Sequence, residues 1–230
     1  IIIGLETELG SLPVKQASLL ALFNAPIFTM NYETAELSKL AINLFLAASL
    51  TTTNTLAEIC ESIGANWSNI VPVLQLDRRI GQYAYLLPGM GISGGNIERD
   101  ISNIIKLQKN ENLDFAFFQS IQSLSKNRKL WPSIKLKQAI GSKFKGQKIS
   151  VWGLTYKRDT NSIKNSPSIL NIHALLDDFD VHVYDPLVEY VDEFKGKVTF
   201  HKNPLNCLRG SKALLMARIR FNTSVRSFEY

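Results

Sequence analysis

The sequence has 230 residues, of which 45% are hydrophobic and 20% charged, and this composition is typical of a folded, soluble protein with one large domain or two small ones. Its formal net charge of +6 favours anionic partners such as nucleotides, but it does not indicate nucleic acid. The two cysteines, Cys60 and Cys207, are too few for a disulfide framework or a thiolate zinc cluster and favour a reducing cytoplasm.

The opening residues carry no sign of an export signal. No basic segment precedes Ile1-Ile2-Ile3, and polar residues such as Asn43 and Thr51 interrupt the apolar stretches before they reach the roughly 20 residues that a membrane helix needs. We therefore expect no membrane segment. Because the chain opens in a strand-like run and without a methionine, we also expect it to be a fragment with missing sequence upstream.

The first half of the chain predicts two short strands and several helices. Residues 1–3 and 26–30 are apolar runs typical of buried strands, and residues 13–23 between them are predicted to be helical. Further helices are predicted at residues 32–63, 67–74, 98–109 and 113–125.

The helix predicted at residues 32–63 has the features of a core helix. Gly64 follows it where a C-terminal cap belongs. Six of its apolar residues recur at three- and four-residue spacing and predict one broad buried face, namely Leu37, Leu40, Ala41, Leu44, Phe45 and Ala48.

Residues 126–148 are strongly basic. The segment contains eight Lys and Arg residues and no Asp or Glu. A nucleic-acid site would need stacking aromatic residues beyond Trp131 and Phe144, or a binding fold. We therefore interpret the segment as a solvated helical face near a phosphate ligand.

After Gly146 strands and helices alternate. A helix is predicted at residues 166–176, and strands at residues 148–153, 181–184, 198–200 and 213–216. Strands joined by helical crossovers form parallel sheets, whose ligands lie at the carboxyl ends of the strands. The chain is therefore predicted to be an α/β protein with a ligand at the turn formed by residues 153–160.

Four segments carry a pattern in a fixed order. They read Glu-Leu-Ser-Lys-Leu-Ala-Ile-Asn at residues 36–43, Leu-Asp-Arg-Arg-Ile-Gly at 76–81, Pro-Gly-Met-Gly-Ile-Ser-Gly-Gly-Asn-Ile-Glu-Arg-Asp at 88–100, and the turn at 153–167. In their order and spacing they resemble the UDP-glucose/GDP-mannose dehydrogenase family over essentially the whole chain. The resemblance implies a remnant of the NAD-binding domain at residues 1–30, a helical dimerisation domain at 31–145, and a Rossmann-like nucleotide-sugar-binding domain at 146–230, expected to be truncated.

The resemblance also implies an activity. It is the NAD-dependent oxidation of UDP-glucose, UDP-N-acetylmannosamine or GDP-mannose, which supplies precursors for polysaccharides. The implied partners are the nucleotide sugar and a second copy of the chain, with no nucleic acid and no membrane. The bulk of the NAD domain is not in the sequence, so NAD would be bound mainly by residues outside it.

Lys39 and Asn43 are the first candidate catalytic residues. They are four residues apart on one helix and so share a face, where a buried amine can manage a proton and an amide can orient a water or hydroxyl. The alternative is a lysine at the surface and an asparagine whose side chain forms its hydrogen bonds within its own helix. The resemblance implies that both are active-site residues and that Asp100 lies beside Lys39 to activate water. For Asp100 the alternative is a carboxylate in the first turn of a helix that begins near Glu98.

The glycine-rich loop departs from the family at one position. Glycines such as Gly91 and Gly94 let backbone amides approach an anionic or sugar ligand. The family motif there is G-F-G-G-S-C-F-P-K-D, and aligning its ends with Gly91 and Asp100 places Asn96 where the family has its nucleophilic Cys. An amide cannot form the thioester through which the aldehyde is oxidised.

The departure at Asn96 leaves three functions open: the full oxidation to an acid, a two-electron oxidation that stops at the carbonyl, and a non-catalytic nucleotide-sugar-binding or scaffold protein. Cys60 and Cys207 do not replace the missing Cys, since both are interpreted as small buried apolar residues.

The remaining candidates are substrate contacts implied by the resemblance. Arg79 matches a family Arg that reaches the substrate of the neighbouring subunit, and its guanidinium is suited to phosphate. Tyr85 and Leu86 match an aromatic-aliphatic pair near the nucleotide. In the later turn, three residues match family positions: Lys157 and Asp159 in a K-x-D substrate motif, and Lys164 in place of an Arg, as a candidate for cofactor binding. Exposed charges in a polar loop are the alternative for the last three.

Overall fold

The computed structural model describes residues 1–6, 11–141, 145–157 and 159–217. At its start, strand β1 (Ile2–Leu5) pairs in parallel with β2 (Phe28–Asn31), and helix α1 (Val14–Ala21) lies between them in sequence. The two predicted strands and the predicted helix are confirmed, but the expectation that the strands are buried is wrong, since Ile2 is 38% exposed and Phe28 58%. The pair leads directly into the next helix, since Asn31 is both the last residue of β2 and the N-cap of α2 (Tyr32–Ile63).

Helix α2 has 32 residues and the bounds that the sequence predicts. The Asn31 side chain accepts a hydrogen bond from the Thr34 amide at its start, and Gly64 ends it with a φ of 75°. The predicted buried face is only partly correct. Leu44 is buried, but Leu37 is 50% exposed and Phe45 81% exposed. The buried side contains polar residues instead, among them Asn43, Thr51, Thr53 and Asn54.

The length and apolar composition of α2 also meet the criterion for a helix that could cross a membrane, with a mean hydropathy of 1.3 in its most apolar window. The core helix of a soluble protein meets the same criterion. The absence of a membrane segment therefore stays a prediction.

Four further helices pack with α2 or follow it. They are α3 (Trp67–Leu76), α4 (Asn96–Asn110), α5 (Ala116–Lys129) and α6 (Trp131–Ile140). Helices α2, α4 and α5 enclose a core of buried aliphatic side chains that contains Leu44, Ala47, Ile92, Ile101, Ile104, Ile105 and Ile121. This packing sets the N-terminus of α4 beside the first half of α2.

The interpretation of the basic segment as a solvated face is wrong for two of its residues. Arg128 and Lys129 at the end of α5 are buried and form ion pairs with Glu58 and Glu98, respectively. Burial of a charge requires such a partner, and the partners are distant in sequence. The segment continues as α6, which agrees with the helical part of the interpretation, while Phe144 lies outside the described residues.

The C-terminal part is a four-stranded parallel sheet, as predicted. Its strands β3 (Lys148–Trp152), β4 (Asp180–Tyr184), β5 (Thr199–Phe200) and β6 (Leu214–Met216) lie in the order β5-β4-β3-β6. Its core contains fully buried side chains from both central strands, including Ile149, Val151, Val181 and Val183. The predicted helix is α7 (Pro167–Leu175), whereas α8 (Pro204–Leu208) and a short 3-10 helix (Asp192–Phe194) were not predicted. Residues 218–230 of the predicted third domain lie outside the described residues.

Helix α7 connects the sheet to the helical part. Its buried Asn171 donates to the Lys129 carbonyl at 2.7 Å and accepts from the Ser133 amide at 2.8 Å. Since α7 follows the turn after β3, this attachment sets that turn against the N-terminus of α4. The carboxyl end of a central strand and two helices of the other part therefore meet.

Candidate functional site

An open cleft of about 730 Å³ lies where the two parts of the chain meet. One side is formed by the first turns of α2, a second by the end of the glycine-rich loop and α4, and a third by the turn after β3. These three elements bring together Lys39, Asn43, Asn96, Asp100 and Lys157, which the sequence predicts as site residues.

The floor of the cleft holds a hydrogen bond between two helices. The Asn43 side-chain nitrogen donates to one carboxylate oxygen of Asp100 at 2.6 Å, and both residues are 9% exposed. The Arg99 guanidinium lies 3.4 Å from the other oxygen. Helix α4 begins at Asn96 and has Glu98, not Asp100, as the acidic residue of its first turn. The alternative role of Asp100 as a first-turn carboxylate is therefore wrong.

Lys39 lies on the same side of α2 as Asn43, one turn earlier, and lines the cleft. Its side chain is exposed, so the expectation of a buried amine is wrong for the chain as it stands. A solvated ammonium on a flexible stem can still donate to an oxygen bound above the Asn43–Asp100 pair.

Asn96 is the first residue of α4 and is exposed in the cleft. It precedes Asp100 by one helical turn, so the two side chains share a face. Neither cysteine can act in its place. Cys60 is 6% exposed outside the cleft lining, and Cys207 is fully buried in the sheet part, where burial raises the pKa of its thiol.

The two glycines predicted to contact substrate have different surroundings. Gly94 has a φ of 87° and lines the cleft, and a Cβ built on it would lie 3.0 Å from the Tyr156 ring. Gly91 also has a positive φ, but it packs against the Ser125 carbonyl and does not line the cleft.

The turn after β3 contributes Tyr156 and Lys157 to the cleft. The Lys157 ammonium lies 5.5 Å from the centre of the Tyr156 ring, and the Ser93 hydroxyl contacts the Tyr156 carbonyl at 3.5 Å. Asp159 and Lys164 are exposed and are not part of the lining. The Lys164 ammonium approaches the loop near Gly95.

Arg79, Tyr85 and Leu86 lie away from the cleft. The exposed Arg79 guanidinium bonds to Asp77 at 2.6 Å, and it holds the pKa of that carboxyl below its usual range. The Tyr85 and Leu86 carbonyls accept hydrogen bonds from Thr53 and from the indole of Trp67, respectively. Contact of these three side chains with a substrate stays a prediction.

Nine residues of the cleft lining are not among the site residues predicted from the sequence: Glu36, Leu40, Ser93, Gly95, Ile97, Arg99, Asn103, Leu107 and Tyr156. Arg99 could have been identified from the sequence, since it adjoins Asp100 near the N-terminus of a predicted helix, where anions are favoured. The sequence evidence for Tyr156 was weaker: it is an aromatic residue in the turn where a ligand was expected.

Neither a metal site nor a dinucleotide site is evident in the described part of the chain. It has no cluster of three or more His, Cys, Asp and Glu residues that could hold a metal ion. Residues 89–94 read G-x-G-x-x-G, but no strand precedes them, and Gly91 faces α5 instead of open space. A dinucleotide pyrophosphate requires that run to follow a strand with its backbone accessible, so these residues do not fit NAD.

Two family models match the chain. The model of the central domain of the UDP-glucose/GDP-mannose dehydrogenase family matches residues 33–127, and the model of its UDP binding domain matches residues 150–221. UDP-glucose 6-dehydrogenase TuaD of Bacillus subtilis (strain 168) is 34% identical over 167 residues, which are 72% of this chain and 36% of that protein. UDP-glucose 6-dehydrogenase of Drosophila melanogaster is 29% identical and covers 83% of this chain and 44% of its own length.

Solved structures share the fold. A UDP-glucose dehydrogenase from Pyrobaculum islandicum superimposes with a TM-score of 0.79 at 24% identity, over 94% of this chain and 50% of the other. A UDP-D-ManNAc dehydrogenase from Pyrococcus horikoshii gives a TM-score of 0.69 at 22% identity, over 89% and 47%. The chain thus spans between about a third and a half of the length of these relatives. On the strength of both domain models and these identities, the chain belongs to the UDP-glucose/GDP-mannose dehydrogenase family.

Proposed function

We propose that the chain carries the substrate side of an NAD-dependent nucleotide-sugar dehydrogenase, acting on a UDP-linked or GDP-linked sugar in polysaccharide precursor synthesis in the reducing cytoplasm. The observation that carries the proposal is the Asn43–Asp100 hydrogen bond, which lies in a cleft together with Lys39 and Lys157. It joins residues 57 positions apart in sequence and buries a carboxylate with an amide partner beside exposed cations.

The cleft residues suit the oxidation of an alcohol. The hydroxyl must lose a proton as its carbon loses a hydride, and the developing oxyanion needs a nearby cation. Asp100 can accept that proton directly or through a water held by Asn43. Lys39 supplies the positive charge, while Lys157 at the opposite wall is placed to pair with a phosphate.

NAD would accept the hydride. Because the glycine-rich run at residues 89–94 does not fit a dinucleotide, we expect NAD to be bound by sequence beyond these 230 residues.

Binding of nucleotide sugars by the 230-residue chain tests the proposal. Titration calorimetry with UDP-glucose, UDP-N-acetylmannosamine and GDP-mannose is expected to show weak binding of at least one, without NAD reduction. Lys157→Ala is expected to weaken this binding, whereas Lys126→Ala, an exposed lysine of α5 outside the cleft, leaves it unchanged. Absence of binding by all three sugars would favour a scaffold protein.

The identity of residue 96 decides how far the oxidation proceeds. Without a thiolate there is no covalent acyl intermediate, so we propose that the longer enzyme forms about one NADH per sugar and yields a carbonyl product. A hydrated aldehyde held by Asn96 and deprotonated through Asp100 or Lys39 offers the other course, with about two NADH and an acid. The number of NADH molecules formed per sugar distinguishes the two courses. If the product is a carbonyl compound, Asn96→Cys is expected to raise acid formation.

A further inference from the structure

Glu98 joins three segments at the edge of the cleft. Its carboxylate forms an ion pair with the ammonium of Lys129 at the end of α5. Its other oxygen accepts a hydrogen bond of 2.7 Å from the side-chain nitrogen of Asn165, which lies between β3 and α7. The same nitrogen donates to the Gly94 carbonyl at 2.9 Å. One carboxylate and one amide thus connect the helical part, the glycine-rich loop and the sheet part.

The surroundings of Lys129 and Asn165 favour a fixed position of both side chains relative to Glu98. The Lys129 side chain is only 6% exposed, so its charge depends on Glu98 for compensation. Asn165 has a φ of 54°, in the left-handed region that costs energy for a residue other than glycine. Asparagine adopts this region more readily than other residues with a side chain, and the two hydrogen bonds of the Asn165 amide hold it there.

The position of the network relates it to the cleft. Gly94 lies in the loop wall, and a side chain at this position would meet the Tyr156 ring at 3.0 Å. Tyr156 and Lys157 form the facing wall, in the same connection that contains Asn165. We therefore expect a wider separation of Asn165 from Gly94 to move Lys157 away from the Asn43–Asp100 pair.

We propose that Glu98, Lys129 and Asn165 form a clamp that sets the width of the cleft, and that Glu98 and Asn165 are positioning residues for nucleotide-sugar binding. The binding part of this inference rests on the proposed function. The clamp itself concerns only how the sheet part is held against the helical part and does not depend on a ligand.

Spin labels test the clamp without any ligand. Lys106→Cys on α4 and Lys197→Cys in the sheet part are exposed sites, whereas Cys60 and Cys207 are buried from the labelling reagent. Labelled chains diluted with unlabelled protein report only the intrachain distance. Asn165→Asp places a second carboxylate beside Glu98, and Asn165→Gly removes the amide but keeps the positive φ. Both substitutions are expected to broaden the distribution of distances between the two spin labels.

A charge-swapped pair separates positioning from stability. Glu98→Gln/Asn165→Asp again holds one amide, one carboxylate and the Lys129 ammonium, but the Gly94 carbonyl has lost its donor, so the distribution of distances is expected to narrow in part relative to Asn165→Asp alone. UDP-glucose affinity is measured on the same proteins, at a temperature where each is folded. It is expected to fall about tenfold in Asn165→Asp and to recover in part in the swapped pair, because preorganisation of the two walls is lost and regained.

Two results would overturn the clamp. One is an unchanged distance distribution in folded Asn165→Asp and Asn165→Gly, even where their melting temperatures fall. The other is a broadened distribution that the swapped pair does not narrow. If the unmodified chain does not bind UDP-glucose, the proposed function fails while the distance measurements still decide the clamp.

Discussion

Gly91 combines a backbone conformation and a packing contact that both exclude a side chain. Its φ is 75°, and a Cβ built on it would lie 2.5 Å from the Ser125 carbonyl oxygen. This oxygen belongs to the backbone of α5, and the Ser125 hydroxyl, 3.2 Å from the built Cβ, is held by a hydrogen bond of 2.8 Å from the Ile92 amide. We expect Gly91→Ala to lower the free energy of unfolding by about 2–4 kcal/mol, measured by chemical denaturation.

Gly89→Ala is the matched control for this prediction. Gly89 lies two residues earlier in the same loop, has no positive φ, and has no atom within 4 Å of a built Cβ. Its substitution is expected to change the unfolding free energy by less than about 1 kcal/mol. Equal losses in the two variants would show that the loop relaxes around either side chain.

The site residues show what sequence reasoning could reach at this scale. Four-residue spacing places Lys39 and Asn43 on one helical face, and the structure has them there. Sequence spacing cannot identify Asp100 as a site residue, because its contact with Asn43 depends on how α2 and α4 pack. The resemblance alone linked Asp100 to this site. Tyr156 was missed since an aromatic residue in a turn has no periodicity.

Helix α5 is attached to α2 through a buried guanidinium. Arg128 bonds to the Glu58 carboxylate at 2.7 Å and to the Gly89 carbonyl at 2.8 Å, with its side chain 6% exposed. Glu58→Gln removes the carboxylate bonded to this cation and leaves only the more distant Glu61 charge, so we expect a loss of about 2–3 kcal/mol in unfolding free energy. Asp77→Asn breaks the exposed pair with Arg79 and is expected to have no measurable effect, so equal losses would contradict the role of burial.

Strands β4 and β5 carry a pH-sensitive contact. His182 and His201 bond to each other at 2.7 Å, and His182 also contacts Asp180. Burial, followed by the charges of His182 and Lys148, holds the pKa of His201 below its usual 6.5. The unfolded chain therefore binds a proton first as the pH falls, so stability is lost below about pH 6.5.

Denaturation curves between about pH 7.5 and about pH 5.5, one unit on either side of an ordinary histidine pKa, check this effect. The unmodified protein is expected to lose stability toward the acid end, and His201→Gln is expected to lose less. Parallel pH dependence in the two proteins would rule His201 out as the cause.

Element prediction failed where packing, not periodicity, decides the environment. The basic composition of residues 126–148 suggested solvent, yet the fold pairs Arg128 and Lys129 with acids from α2 and α4. Likewise, apolar spacing in α2 marked Phe45 as core, but α4 and α5 pack on the side that contains Leu44 and Ala47. A sequence shows which side chains are apolar but not which apolar stripe faces the rest of the chain.

At the scale of the whole molecule, the architecture was predictable in outline. Apolar strand runs spaced by helical crossovers led to the parallel sheet, and the strand order β5-β4-β3-β6 agrees with that class. The attachment of the sheet to the helices was not predictable. It depends on side chains such as Asn171 and Asn165, whose partners lie tens of residues away.

The apolar stripe that α2 leaves exposed predicts how the whole molecule assembles. Phe45 is 81% exposed, Ile59 46% and Ile63 71%, and they lie on the side of α2 away from its core contacts. Exposed apolar side chains aligned along one face of a helix are typical of an interface, and we expect two copies to pair along this face. Light scattering at micromolar concentration should therefore give the mass of a dimer.

Substitution within the stripe and outside it tests this assignment. Ile59→Asp places a charge in the expected interface and should produce monomers, whereas Leu205→Asp on α8, at a residue 67% exposed, should leave the dimer intact. A monomeric unmodified protein, or dimers that persist in Ile59→Asp, would contradict pairing through α2. Flotation of the unmodified protein with liposomes would instead assign the stripe to a membrane, which the apolar composition of α2 permits. A dimer that stays with the aqueous fraction would place both α2 helices at one interface, each beside its own Asn43–Asp100 cleft.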